Sequence, residues 1–173
     1  MPAISVRGSR IISKGRWKRA EVQGLEKGTE MTLEQAIAFA ALCHEGQQDK
    51  VGATYILHPL RVMLRVHSDA ERRVAVLHDV VEDCGVTPDM LRRKGLPEEE
   101  VVAVQALTKA EGEEHEAFIE RAGRNALAWK VKLADLADNL DRSRFREISP
   151  KDEARFTKYQ RAKERLEAIP WPR

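Results

Sequence analysis

No stretch of the 173 residues approaches the roughly 18 uninterrupted apolar residues of a membrane span, and the N-terminus lacks the apolar segment of a signal peptide. No membrane association is expected, and the expected compartment is the cytoplasm. Cysteine is scarce. Cys43 and Cys84 are the two, which suits a reducing compartment, and each reads as a small core residue rather than half of a disulfide or a ligand. Charge imbalance is also lacking: 30 Lys and Arg stand against 28 Asp and Glu, a formal net charge of +2, so no nucleic-acid partner is expected. Neither an internal repeat nor a low-complexity tract is present, which excludes solenoid and disordered classes. What remains is 42% apolar and 34% charged, the composition of a globular protein, at a length that suits one domain with a well-filled core.

Residues 1–28 are rich in Arg, Lys and Gly without a sustained apolar period. They read as a basic extension, and residues 29–173 as the domain. Within the domain, "TLEQAIAFAALCHEG" carries Leu33, Ile37 and Ala40 at helical spacing, with Thr32 to cap it, Gly46 to stop it and His44 on the same stripe. Further helices are signalled by "HPLRVMLRVH", by "DAERRVAVLHDVVED" behind Ser68 or Asp69, and by "VTPDMLRRKG" and "LPEEEVVAVQALTK", each with Pro near its start. Apolar Leu127, Val131, Leu133, Leu136 and Leu140 mark another, and Ser149-Pro150 opens the last. No useful β alternation follows residue 30. The expected fold is all-α, with about seven or eight helices.

The stretch "VLHDVVEDC", residues 76–84, sets a His-Asp pair and two further acids in an apolar run. On one helix His78 and Glu82 stand four apart, as do Asp79 and Asp83, so both rows share a side. Unpaired buried carboxylates are costly, which implies a cation. Imidazole with carboxylate is a ligand set for a divalent metal, and a second acid pair one turn on can orient or deprotonate water. One helix cannot close a coordination sphere. His44, on the core stripe of its helix, and Asp135, between Leu133 and Leu136, are the candidates for the rest.

The ordered set "CHEGQ", "YILHP", "LHDVVED" and "VKLADLADNL" resembles the HD superfamily of metal-dependent phosphohydrolases, and within it the alarmone-hydrolase branch, over residues 31 to 165. That resemblance implies an HD-type helical domain in which His44, His78, Asp79 and Asp135 hold one divalent cation, typically Mn²⁺ in this branch. It implies that Glu82 and Asp83 activate the attacking water, that Asn139 contacts the nucleotide, and that Lys50 lies beside the substrate. Lys109, Arg155 and Tyr159 are further candidates to face it. His58 matches a family position and is expected to be hydrogen-bonded rather than a ligand.

The pattern departs in three places. Asp49 stands where the family has an Arg that packs on the guanine base, Thr54 stands for a Pro, and Leu136-Ala137 follow the metal-site Asp where a basic residue and Leu are usual. The implied activity is hydrolysis of the 3′-pyrophosphate of guanosine tetra- or pentaphosphate, or of a closely related nucleotide, without synthesis. Two alternatives stay open: an HD phosphatase or phosphodiesterase on another nucleotide, which Asp49 favours, and a non-catalytic metal-bound domain that senses nucleotide.

Overall fold

A computed structural model describes residues 30–170. The basic extension read over residues 1–28 lies outside the described residues. The chain forms α1 (Leu33–Cys43), α2 (Leu57–Met63), α3 (Asp69–Leu77), α4 (Val80–Cys84), α5 (Pro88–Arg93), α6 (Glu98–Leu107), α7 (His115–Gly123), α8 (Ala126–Asn139) and α9 (Pro150–Glu167), with a 3-10 turn at Arg142–Arg144. Among the described residues β pairing is confined to one isolated bridge, Gln48 to Thr54, so the fold is all-α as expected. No described helix is long and apolar enough to cross a membrane.

Local chemistry sets the helix starts. The hydroxyls of Thr32, Ser68 and Ser149 each accept a hydrogen bond from the amide three residues on, and the side-chain oxygens of Gln35, Glu71 and Asp152 accept one from the cap amide in turn. Thr87 caps α5 ahead of Pro88. Each such cap contributes about 1 kcal/mol. Two helices differ from the sequence expectation. The stretch from Asp69 to Asp83 is broken at His78–Asp79, so α3 and α4 are two segments of a bent helix. The segment α7, for which no start signal was read, opens behind Glu114 without a side-chain cap. Among the described residues, counting α3 with α4 gives eight helices and counting them apart gives nine.

The break has a visible cause. The carbonyl of Ala75, the acceptor an unbroken helix would offer to the Asp79 amide, is 2.7 Å from His78 Nδ1. A carbonyl can only accept, so Nδ1 is the donor there.

Two apolar clusters organise the packing. The larger joins α1, α3 and α6 through residues such as Phe39, Val74, Leu77 and Val104; the smaller joins α7, α8 and α9 through Phe118, Ile119, Leu136, Ala162 and Leu166. Helix α8 serves both, sending Ala128, Val131 and Ala134 to the first and Leu136 to the second. Leu136 is therefore a core residue, which explains why no basic side chain follows Asp135 here; truncating so buried a leucine would cost about 2–5 kcal/mol. Asp135 lies at the seam between the two clusters.

Candidate active site

The α3–α4 break, the start of α2 and the middle of α8 bring four groups together. Donor atoms of His58, His78 and Asp135, all buried, lie within 4.8 Å of one another, which makes a candidate metal site. Asp79 Oδ2 joins them, 3.0 Å from His78 Nε2 and 3.7 Å from His58 Nε2, while Asp135 Oδ1 is 3.2 Å from His58 Nε2 and 3.9 Å from His78 Nε2. The hydroxyl of Tyr55 donates to Asp79 Oδ2 at 2.6 Å.

The three histidines differ in what they present. With Nδ1 donating to Ala75, His78 turns its other ring nitrogen to the cluster, and that buried Nε2 has no hydrogen-bond partner among the described residues. His44 is arranged alike: Nδ1 lies 2.7 Å from the amide oxygen of Gln47, and its buried Nε2 is also unpartnered. His58 is held at both ends, with Nδ1 2.8 Å from Asp138 Oδ2 and Nε2 near Asp135. Although burial works against its charge, the Asp135 and Asp138 carboxylates push the His58 imidazolium up to about 9.

Buried lone pairs on neutral imidazole nitrogens beside two carboxylates form a donor set that fits a divalent cation. The carboxylates are ready for it. Against the effect of burial, Lys132 and His58 hold Asp135 well below the usual carboxylate range. Lys132 Nζ is 2.8 Å from Asp135 Oδ2.

A cavity of about 530 Å³ opens beside this cluster. Asp79, Glu82, Asp83 and Asp135 line it, as do all five residues expected to face a substrate: Lys50, Lys109, Asn139, Arg155 and Tyr159. Glu82 Oε2 accepts from the Lys109 amide at 3.2 Å, and Lys50 Nζ reaches the Tyr159 hydroxyl at 3.0 Å. Asn139 Nδ2 donates to Asp135 Oδ1 at 2.5 Å, and Arg155 is paired with Asp152. Partial burial in the cavity wall, followed by the charge of Asp79, pushes the Asp83 carboxyl up to about 6.

Sequence reasoning missed Tyr55, Arg61, Lys132, Asp138 and Arg144. Asp138 is fully buried and accepts from His58, from Arg61 Nε at 2.7 Å and from Arg144 Nη1 at 3.0 Å. Its signal was a second acid three residues past Asp135, set between the apolar Leu136 and Leu140. Cys43 and Cys84 are buried and free, as expected of core residues; Cys84 Sγ lies 3.4 Å from His44 Nδ1.

No family model matches the chain. It is 41% identical over 63 residues to a guanosine-3′,5′-bis(diphosphate) 3′-pyrophosphohydrolase of Vibrio cholerae serotype O1, covering 34% of this chain and 9% of that one. It is 31% identical over 150 residues to a Mycobacterium leprae protein named "Probable GTP pyrophosphokinase", covering 79% and 18%. The chain thus spans less than a fifth of the length of these curated relatives. Among solved structures, a metazoan ortholog of SpoT that hydrolyzes ppGpp and plays a role in starvation responses superposes with a TM-score of 0.64 at 20% identity, over 83% of this chain and 90% of that one. The chain is therefore similar in sequence to an alarmone 3′-pyrophosphohydrolase and shares the fold of a ppGpp-hydrolysing SpoT ortholog, in keeping with the HD-type resemblance of its motifs.

Proposed function

We propose that the protein is a metal-dependent phosphohydrolase that removes pyrophosphate from the 3′ position of guanosine tetra- or pentaphosphate. The observation that carries this reading is the convergence of His78, Asp79 and Asp135 beside a cavity that also holds Glu82, Asp83 and several cationic side chains. The cation, Mn²⁺ by resemblance, would be held by His78, Asp79, Asp135 and His44, whose bare Nε2 supports that role. Once bound it supplies Lewis acidity, lowering the pKa of water and polarising a phosphoryl oxygen.

The chain's own residues do the rest. Glu82 and Asp83 align a water on the cavity side and take its proton as its oxygen bonds to phosphorus. The bond from that phosphorus to the ribose 3′ oxygen breaks, and the oxygen leaves as a hydroxyl carrying the proton that the acid pair took from the water. Lys132 keeps Asp135 ionised, Tyr55 holds Asp79 in place, and Lys50 and Lys109 balance the phosphate charge. Asn139, tied to Asp135 through its amide nitrogen, turns its oxygen to the nucleotide.

Asp49, which lines the same cavity, favours a second reading in which the substrate is a different phosphorylated nucleotide. One experiment separates the two. Purified protein with Mn²⁺ is given guanosine tetraphosphate, and released pyrophosphate and single phosphate are measured with Asp79→Ala as the blank. Pyrophosphate release that disappears in the blank supports the alarmone reaction. Bound metal without release sends the substrate search to other nucleotides, and turnover that survives metal removal ends the metal-hydrolase reading.

A further inference from the structure

Asp49 is not a free negative charge in the cavity. Its Oδ1 accepts from the amides of Val51 at 3.0 Å and Ala53 at 2.9 Å, inside a loop turned by Gly46 and Gly52 at positive φ and closed by the Gln48–Thr54 bridge. Its Oδ2 pairs with Arg144 Nη2. Arg144 donates through Nη1 to Asp138 as well, so two largely buried carboxylates grip the edge of one guanidinium that lines the cavity. Those in-plane bonds leave the flat faces of the guanidinium for stacking.

Lys132 and Lys109 stand by Asp135 and Glu82, where a reacting phosphate belongs. Arg144 is joined to that cluster through Asp138 and His58, and the residue after it, Phe145, meets Phe156 edge-on at a centroid distance of 5.2 Å; both rings line the cavity, with Arg142 over Phe156. A nucleotide whose polyphosphate meets the lysines can bring its base to Arg144 within the same cavity.

We propose that Arg144, oriented by Asp49 and Asp138, is the residue that recognises the nucleobase, by stacking its guanidinium plane on a purine ring. The inference rests on the proposed nucleotide substrate. It makes Asp49, which stands in place of the family's Arg, the anchor of an arginine supplied by a different segment of the chain. Because stacking needs the flat, delocalised cation, lysine at position 144 should keep the pairing with Asp49 and Asp138 and lose base recognition.

The test compares guanosine 5′-diphosphate with inorganic pyrophosphate, both with Mn²⁺, as ligands of the wild type, Arg144→Lys and Arg144→Met. Base recognition predicts that both variants lose about tenfold or more in affinity for the nucleotide, the size of a desolvated cation–π contact, while pyrophosphate stays within about twofold. Mn²⁺ stoichiometry in Arg144→Lys should match the wild type. Equal weakening of both ligands would make Arg144 a phosphate contact, and loss of metal in Arg144→Lys would make it a support for Asp138 and His58. Either result overturns the proposal, as does a wild type that binds the two ligands alike or a nucleotide affinity that does not change. Failure of the hydrolase reading shows itself differently, as no pyrophosphate release from guanosine tetraphosphate while the nucleotide preference persists.

Discussion

His58 Nδ1 lies 2.8 Å from Asp138 Oδ2, joining the start of α2 to the end of α8 across 80 residues of chain. The bond fixes the plane of the His58 ring and directs Nε2 toward Asp135 and Asp79. Burial alone would favour a neutral Asp138, yet the bonds from His58 and Arg61 keep it ionised well below its usual range. Asp138→Asn should weaken Mn²⁺ binding by about 10–100-fold, as losing a residue that orients a metal site does. It should also destabilise the fold by about 3–5 kcal/mol, because Arg61 and Arg144 would face a neutral amide. Metal titration and denaturant unfolding check the two effects separately. Unchanged metal affinity would mean that the His58 orientation does not matter to the site.

What the sequence made legible was local. Thr32, Ser68, Thr87 and Ser149 announced their helices because a cap needs only residues a few positions apart. His78, Asp79 and Asp135 stood out as charged groups in apolar runs, a mismatch visible without a fold. The helix break at His78–Asp79 was not legible, because it depends on which way the His78 ring turns. Nor was the Asp49–Arg144–Asp138 network, since Asp49 and Arg144 are 95 positions apart and each alone looks like a surface charge. Asp49 therefore suggested a substrate other than a guanine nucleotide, whereas the structure pairs it with Arg144.

Glu82 is exposed to the cavity and touches the protein chiefly through the Lys109 amide, which a glutamine oxygen could also accept. Glu82→Gln should therefore retain fold and metal while losing its proton-accepting carboxylate. A fall in kcat of at least about a hundredfold is expected, with Mn²⁺ stoichiometry unchanged. Full turnover in this variant would assign the water to Asp83 alone.

Glu71 ties α3 to α8. Its buried carboxylate accepts from the amides of His67 and Ser68 and pairs with Lys130. Burial opposes the charge, but Lys130 and the two amides pull the folded pKa from 4.5 to about 2. Because the folded value is the lower one, this stabilisation is fully present above pH 4.5 and is lost as the pH falls toward 2. Glu71→Gln should cost about 1–3 kcal/mol at pH 7, and the gap to the wild type should close across that acid window. Urea unfolding at a series of pH values checks this. A gap that is the same at pH 7 and at the acid end would remove Glu71 from the acid sensitivity of the fold.

His44 and His58 compete for the remaining place around the cation. The donor atoms of His58 are nearer the cluster, but both of its ring nitrogens are already engaged by carboxylates. His44 instead has a buried, unpartnered Nε2, and its Nδ1 is held by Gln47. His44→Ala should thus reduce Mn²⁺ affinity by more than the about 10–100-fold expected for His58→Gln, which removes only a supporting group. Titrating Mn²⁺ into both variants decides the order. A larger loss in His58→Gln would make His58 the ligand and reduce His44 to a core histidine held by Gln47 and Cys84.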